Sequence, residues 1–210
     1  MLHVPSKTVI LFDLDGTLID SLPAVERAWS FWSTQVGLNP DEVLPHIHGR
    51  RSLDSIRVLA PHLNAEEQDL VLRKIESSET EGVRLLPGSA ELLASLPKGS
   101  WTIVTSGTSD VAQARLRAVG IPIPEHAVYG ENVSQGKPSP EPFLLAAQKM
   151  GVSPDQALVF EDTDAGVRAG HAAGMQVIRV GAPHPLALTS VQDLRQVAVV
   201  GTNPLQLSVS

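Results

Sequence analysis

The tightest constraint on this chain is a short apolar run that stops on an acidic cluster. Val9-Ile10-Leu11-Phe12 leads directly into Asp13-Leu14-Asp15-Gly16-Thr17. A continuous apolar run bounded by turn residues reads as a strand buried on both faces, the kind that fills parallel sheets. The arrangement recurs. Trp101-Thr102-Ile103-Val104 ends at Thr105-Ser106-Gly107, and Ala157-Leu158-Val159-Phe160 ends at Glu161-Asp162. Met175 to Val180 ends at Gly181, and Val197-Ala198-Val199-Val200 ends at Gly201. Between these runs lie helical stretches with ordinary punctuation: Ser109 to Val119 before Gly120, Pro140 to Met150 before Gly151, and Ala165 to Ala173 before Gly174. Strands alternating with helices predict an α/β fold, a Rossmann-like parallel sheet with right-handed crossovers that takes in all five runs. In such sheets ligands bind beyond the carboxyl ends of the strands. Asp13/Asp15, Thr105/Ser106 and Glu161/Asp162 are therefore expected to meet at one site.

One stretch breaks this rhythm. Between about Leu22 and Leu85 no strand-like run occurs, whereas Ala24 to Val36, Leu53 to Ala60 and Asn64 to Glu79 read as amphipathic helices. The prediction is a small helical cap, residues 22–84, inserted after the first strand into a core made of residues 1–21 and 85–210. Pro23, Gly82 and Pro87-Gly88 mark the hinges, and a helical unit beside the business end of a sheet suits a lid. Trp29 and Trp32 are three residues apart, share a helix face and are read as cap core. The tail after Gly201 is polar and carries no clear pattern.

Composition narrows the function classes. The 210 residues carry 16 Lys+Arg and 23 Asp+Glu, a formal charge of −7, with 42% hydrophobic residues. That is enough apolar material for a core, and the acidic balance argues against nucleic-acid or anionic-membrane partners. There is no cysteine, which excludes thiol catalysis, disulfides and cysteine-bound zinc and suits a cytoplasmic location. No signal peptide or membrane span is read in the sequence. A monomer is expected.

The clusters at the strand ends have chemistry to offer. In extended chain, residues i and i+2 face the same side, so Asp13 and Asp15 project together. Two close carboxylates call for a shared proton or a cation. A hard cation such as Mg²⁺ takes oxygen ligands and shares its shell with substrate phosphate. Gly16 permits a sharp turn and Thr17 offers a hydroxyl. Thr105-Ser106-Gly107 presents hydroxyls and backbone N–H groups ahead of a helix, a seat for phosphate. Lys137, stiffened by Pro138 and Pro140, can hold a phosphate as a point charge. Glu161-Asp162 ends an apolar strand, where charge must be paired or metal-bound. Each piece has a plainer reading: an Asp-Gly turn, a Ser cap, a loop lysine, a helix N-cap by Asp162 or Asp164.

Together, and in this order, the four motifs are specific. Asp13-Leu14-Asp15-Gly16-Thr17, Thr105-Ser106, Lys137, and Glu161-Asp162 with Gly166 resemble the four motifs of the haloacid dehalogenase-like hydrolase superfamily over about Val9 to Val180. The helical insertion is similar to the cap of its sugar-phosphatase and β-phosphoglucomutase-like branch, and Asp20 to Trp29 and Ile47-His48-Gly49-Arg50 resemble the cap of bacterial hexose- and hexitol-phosphate phosphatases. The resemblance implies that Asp13 is the nucleophile and Asp15 the general acid and base. It implies that Asp13, the Asp15 backbone carbonyl and Asp162 hold Mg²⁺, with Glu161 in support. It implies that Thr105, Ser106, the Gly107 amide and Lys137 bind the transferring phosphoryl group. Arg50, with Arg51, falls in the family's substrate-recognition loop, and His48 lies near it; a solvated arginine pair is the alternative. His46 is read as a loop residue and His171 as structural, with no zinc site.

The expected activity is Mg²⁺-dependent hydrolysis of a small phosphate ester, a phosphorylated sugar or sugar alcohol, through an aspartyl-phosphate. A phosphomutase of the β-phosphoglucomutase type shares every core motif and stands as the alternative. Asp15 counts against a haloacid dehalogenase. The intact Asp13, Asp15, Lys137 and Asp162 count against a non-catalytic relative.

Overall fold

The computed structural model describes residues 2–7, 9–202 and 205–210. In chain order the elements are β1 (Leu2–Lys7), β2 (Val9–Phe12), β3 (Ile19–Asp20), α1 (Leu22–Gln35), α2 (Pro40–Val43), α3 (Ser52–Leu59), α4 (Ala65–Ser78), β4 (Arg84–Leu85) and α5 (Ser89–Ser95). They continue as β5 (Trp101–Ile103), α6 (Ser109–Ala118), α7 (Glu141–Lys149), β6 (Ala157–Glu161), α8 (Asp164–Ala172), β7 (Gln176–Val180), β8 (Thr189–Val191), β9 (Val197–Thr202) and β10 (Leu205–Val209).

The central sheet is parallel, in the order β5-β2-β6-β7-β8. Its strands are apolar throughout because both faces are covered. Ile10, Phe12, Ile103, Leu158 and Phe160 face one layer, which Leu92, Ala112 and Leu116 of α5 and α6 complete. Val9, Leu11, Ala157, Val159 and Val177 face the other, against Phe143, Ala146 and Val167 of α7 and α8. Phe12 and Phe160 stack across β2 and β6 with ring centroids 5.1 Å apart. Such fully buried aromatic and branched side chains each contribute about 1.5–3 kcal/mol of burial free energy. They fix the register on which the site depends.

The helices α1 to α4 form a small cap with its own core of Trp29, Trp32, Val43, Ile47, Ile56 and Leu72. The Trp29 and Trp32 rings meet edge to face at 5.5 Å, and Trp32 Nε1 donates to Gln68 Oε1 at 3.0 Å. The chain enters and leaves this unit through a two-stranded ribbon that pairs Ile19 with Leu85 and Asp20 with Arg84. Gly82 and Gly88, at φ +77° and +87°, allow the turns on the return side.

Two expectations need correction. The run Val197–Val200 is a strand, but not of the parallel sheet. β9 pairs antiparallel with β10, and β10 with β1. Its apolar letters hide an alternation, since Val197 is buried whereas Ala198 and Val200 are exposed. A strand with one wet face belongs to an antiparallel sheet. The second correction is that β1 precedes the strand that leads into Asp13, so the cap follows the first strand of the parallel sheet, by way of β3, but not the first strand of the chain. The unpatterned tail is β10, which buries Leu205, Leu207 and Val209 against the core.

Candidate active site

The strand order places the chemistry. β2 lies between β5 and β6, and Phe12 is level with Ile103 on one side and Phe160 on the other. One residue further on, Asp13 and Glu161 emerge side by side, about 4.8 Å being the spacing between paired strands. The Asp13 amide donates to Phe160 O at 2.9 Å and Val104 N donates to Phe12 O at 2.8 Å, so the backbone is held until the acidic residues emerge.

Oxygens of Asp13, Glu161 and Asp162 lie within 4.8 Å of one another. Lys137 reaches into this cluster from its loop. Its Nζ donates to Asp13 Oδ1 at 2.5 Å, Glu161 Oε1 at 2.7 Å and Val104 O at 3.0 Å, and sits 5.2 Å from the Phe143 ring centroid. Three buried donor contacts use all three ammonium protons. The second oxygen of Glu161 accepts from Thr163 N at 2.6 Å and Thr163 Oγ1 at 2.9 Å, so Glu161 is fully engaged as a support. Thr163, and neither Asp162 nor Asp164, caps α8, accepting from Gly166 N at 3.1 Å.

Two glycines permit this crowding. A Cβ on Gly16, whose φ is +91°, would lie 2.2 Å from Asp162 Oδ2; one on Gly166 would lie 1.8 Å from Glu161 Oε1. Both contacts are far inside van der Waals distance. Thr17 Oγ1 donates to Asp162 Oδ1 at 3.2 Å.

The electrostatics are those of an unbalanced site. Burial is the main cause that pushes the Asp13 carboxyl well above the usual carboxylate range; Lys137 opposes it and Glu161 and Asp162 add to it. Burial, then Glu161, raises Asp162 to about 7. Burial lowers the Lys137 ammonium, but the carboxylates of Asp13 and Glu161 outweigh that and leave it raised. One cation thus faces three carboxylates. An all-oxygen donor set with excess negative charge fits a hard divalent cation.

Above the cluster lies a cavity of about 460 Å³ between core and cap, walled by Asp13, Asp15 and Thr105 to Thr108 below and by Glu26, Trp29, His48 and Arg50 above. Lys137 and Glu161 sit behind this wall. Asp15 Oδ1 accepts from Ser21 Oγ at 2.5 Å and Arg115 Nη1 at 2.9 Å. The Gly107 amide donates to Thr105 Oγ1 at 3.0 Å, and Ser106 Oγ donates to the cap carbonyl of Gly49 at 3.2 Å. Three of the expected phosphate donors, Ser106, the Gly107 amide and Lys137, are thus turned toward protein partners in this structure. Thr108 Oγ1 is buried and has no hydrogen-bond partner among the described residues.

The arginine pair is split. Arg50 is exposed and borders the cavity, whereas Arg51 ties the cap to the core. Its guanidinium donates to Val133 O at 2.9 Å and Ser134 O at 3.1 Å and pairs with Asp54 at 2.7 Å. His48 borders the cavity, while His46 and His171 lie outside it; His171 is exposed on α8.

Sequence reasoning missed Arg115 and Glu76. Arg115 is buried on α6 and pairs with Asp15 and, at 3.2 Å, with Glu76 of α4. A signal was there: Arg115 follows Val111 and Ala112 on the buried stripe of its helix, and Glu76 follows Ala65, Asp69 and Leu72 on its own. Charge at an apolar position of the period asks for a partner.

Comparison with known proteins places the chain in a family. A family model for haloacid dehalogenase-like hydrolases matches residues 7–174. The chain belongs to the haloacid dehalogenase-like hydrolase family. It is 50% identical over 182 residues to hexitol phosphatase A of Escherichia coli, covering 82% of each chain. It is 32% identical to β-phosphoglucomutase of Bacillus subtilis, covering 84% of each. The fold matches that of a phosphate complex of CbbY from Rhodobacter sphaeroides with a TM-score of 0.80 at 22% identity, over 90% of this chain and 95% of that one. Among the described residues no helix is long and apolar enough to cross a membrane.

Proposed function

We propose that this enzyme is a Mg²⁺-dependent phosphatase that hydrolyses phosphorylated sugars or sugar alcohols through a phosphoryl group carried on Asp13. The observation that carries the reading is the stacking of a carboxylate cluster beneath a polar cavity. Asp13, Glu161 and Asp162 lie close together with Lys137 as their counter-charge. Asp15 and the Thr105 to Thr108 loop stand in the wall above them.

Asp13 Oδ1 is held by Lys137, which leaves Oδ2 to attack phosphorus. A P–O bond to Asp13 forms as the P–O bond to the sugar breaks. Asp15 gives its proton to the departing sugar oxygen. Water then attacks the aspartyl-phosphate, Asp15 takes the water's proton, and inorganic phosphate leaves with Asp13 restored. Thr105, Ser106, the Gly107 amide and Lys137 hold the phosphoryl oxygens, where positioning and charge stabilisation supply most of the rate. For Ser106 and Gly107 this means exchanging the bonds to Gly49 and Thr105 for bonds to phosphate, and for Lys137 it means giving up one of its three bonds to Asp13, Glu161 and Val104. Asp13, Asp162 and the Asp15 backbone carbonyl would hold Mg²⁺, with Glu161 behind them; when bound, the ion offsets the carboxylate charge and lets an anionic substrate approach. The cap, residues 22–84, closes the cavity. Its Glu26, His48 and Arg50 suit a polyhydroxylated substrate, since each can bond to hydroxyls. The 50% identity to a hexitol phosphatase supports that class.

The test is a panel of hexitol phosphates, hexose 6-phosphates, hexose 1-phosphates, glycerol phosphate, phosphoglycolate and nucleotides, assayed for free phosphate. Each is run with Mg²⁺, then with EDTA, with Asp13→Asn as blank. Release that needs both Mg²⁺ and Asp13 is expected, with hexitol and hexose phosphates leading. The relative at 32% identity that is a mutase supports a second reading. An isomerised hexose phosphate without phosphate release would favour it.

A further inference from the structure

Arg115 has no part in the reaction just described, yet it contacts the acid–base residue directly. We propose that Arg115 is a positioning residue for Asp15, held in turn by Glu76, so that the proton-transfer geometry is set by the seating of the cap on the core. This rests on the acid–base role given to Asp15.

The geometry is specific. Arg115 stands on core helix α6, Glu76 on cap helix α4, and Asp15 on the turn after β2. The planar guanidinium sends Nη1 to Asp15 Oδ1 at 2.9 Å and Nη2 to Glu76 Oε1 at 3.2 Å. Its fixed fork can reach two acceptors at once, as an ammonium cannot. Asp15 Oδ1 also accepts from Ser21 Oγ at 2.5 Å, and Ser21 is the residue before the cap's first helix. One oxygen of Asp15 is therefore fixed from the core and from the cap entrance. The other, Oδ2, lies on the phosphate-loop side, 4.0 Å from where a Cβ on Gly107 would sit. It has no hydrogen bond among the described residues and is the oxygen left to exchange a proton.

Stability does not account for the arrangement. The Arg115 side chain is 4% exposed, and its Nε is buried without a hydrogen-bond partner among the described residues. It displaces an apolar side chain from the stripe of Val111, Ala112 and Leu116. Buried ion pairs of this kind are often no more stabilising than apolar packing of equal volume. Positioning is a different matter, since a misplacement of about 1 Å can cost about 100-fold in rate.

The experiment measures kcat and KM for a hexitol phosphate with Mg²⁺ in the wild type, Arg115→Met, Arg115→Lys, Glu76→Gln and Asp15→Asn. The two Arg115 variants are also made in the Asp15→Asn background and assayed there, at high enzyme concentration, on p-nitrophenyl phosphate, whose leaving group needs no proton. Arg115→Met is expected to lower kcat by about 10- to 100-fold with KM little changed. Arg115→Lys is expected to recover part of the loss, and Glu76→Gln to fall between. In the Asp15→Asn background neither Arg115 variant should cost anything more. A folded Arg115→Met with wild-type kcat, a loss confined to KM, or equal losses in both backgrounds would overturn the proposal. If Arg115→Met does not fold, Arg115→Lys in the two backgrounds decides by the same comparison. Wild-type turnover by Asp15→Asn would overturn the acid–base reading as well, a result separate from any of the others.

Discussion

The two walls of the cavity are built on opposite plans. The floor is buried: Asp13, Glu161 and Lys137 are almost wholly inaccessible, Lys137 and Glu161 are each fixed by a backbone group as well as by their ion pair, and Lys137 holds Asp13. The roof is polar and open. Arg50 and His48 are exposed on a loop that follows a single 3₁₀ turn, and Arg50 has no ion pair among the described residues. Bond-making needs groups held to fractions of an ångström, and strand ends in a packed sheet supply that. Choosing among sugars needs adjustable donors and acceptors, and a loop on a separate helical unit supplies those. The floor's residues should therefore affect all substrates alike and the roof's residues should not.

The largest effect should come from Asp13. Asp13→Asn keeps the shape of the site and removes its proposed nucleophile, so phosphate release should fall by more than about 1,000-fold on every substrate. The metal-free variant should melt no lower than wild type, because it relieves one of three crowded carboxylates. A well-folded Asn variant with substantial turnover would break the division between floor and roof at its root.

Lys137→Met should be nearly as severe, and it adds a stability penalty. It leaves Asp13, Glu161 and Asp162 without their counter-charge. Removing one partner of a buried network costs about 3–5 kcal/mol, a fall in Tm on the order of 10 °C for a chain of this size. The exposed pair of Arg57 and Glu66, 2.7 Å apart, makes the contrast. Arg57→Ala should change Tm by little, since water screens a pair exposed on both sides. Thermal melts of the two variants side by side test the point. Similar shifts would mean that the floor is not the charge-strained region it is taken to be.

The floor should also show itself through pH. Asp162, raised to about 7 chiefly by burial, keeps its proton in the metal-free folded state where the unfolded chain has lost it. Asp13 is shifted in the same direction. Between about pH 4 and 7 the folded state therefore holds more protons, and the contribution of these groups to stability is lost as pH rises through that window. Melts in EDTA should accordingly fall from pH 5 to pH 8. The gain in Tm on adding Mg²⁺ should grow over the same range, because a bound cation favours the ionised carboxylates. A gain from Mg²⁺ that is independent of pH would show that these carboxylates are already ionised without it.

Floor and roof were not equally legible in the sequence. Asp13, Thr105 and Glu161 could be read as one site because the apolar runs before them fixed strands, and parallel strands bring their carboxyl ends together. The β9 run misled because four apolar letters in a row, with Val200 52% exposed, imitate a strand covered on both sides. Arg115 and Glu76 were missed for another reason. Their pairing joins helices 39 residues apart in sequence, and nothing local to either residue names its partner. The parting of Arg50 from Arg51 was equally hidden. Which of two adjacent arginines turns inward depends on the carbonyls of Val133 and Ser134, some 80 positions away.

The smallest expected effect is the one that separates roof from floor most directly. Arg50 borders the cavity and is free of ion pairs among the described residues, so Arg50→Ala should leave Tm unchanged. A guanidinium bonding to a substrate hydroxyl contributes about 1.5–3 kcal/mol, as hydrogen bonds to charged groups do. KM for hexitol and hexose phosphates should therefore rise by about 10- to 100-fold. The kinetics of p-nitrophenyl phosphate, which lacks those hydroxyls, should be unaltered. Arg51→Ala is the matched control. It should lower Tm by releasing the cap from Val133 and Ser134, and should slow all substrates in the same proportion. If Arg50→Ala instead slows the aryl phosphate as much as the sugars, Arg50 serves the phosphoryl group itself, and the roof is part of the catalytic floor.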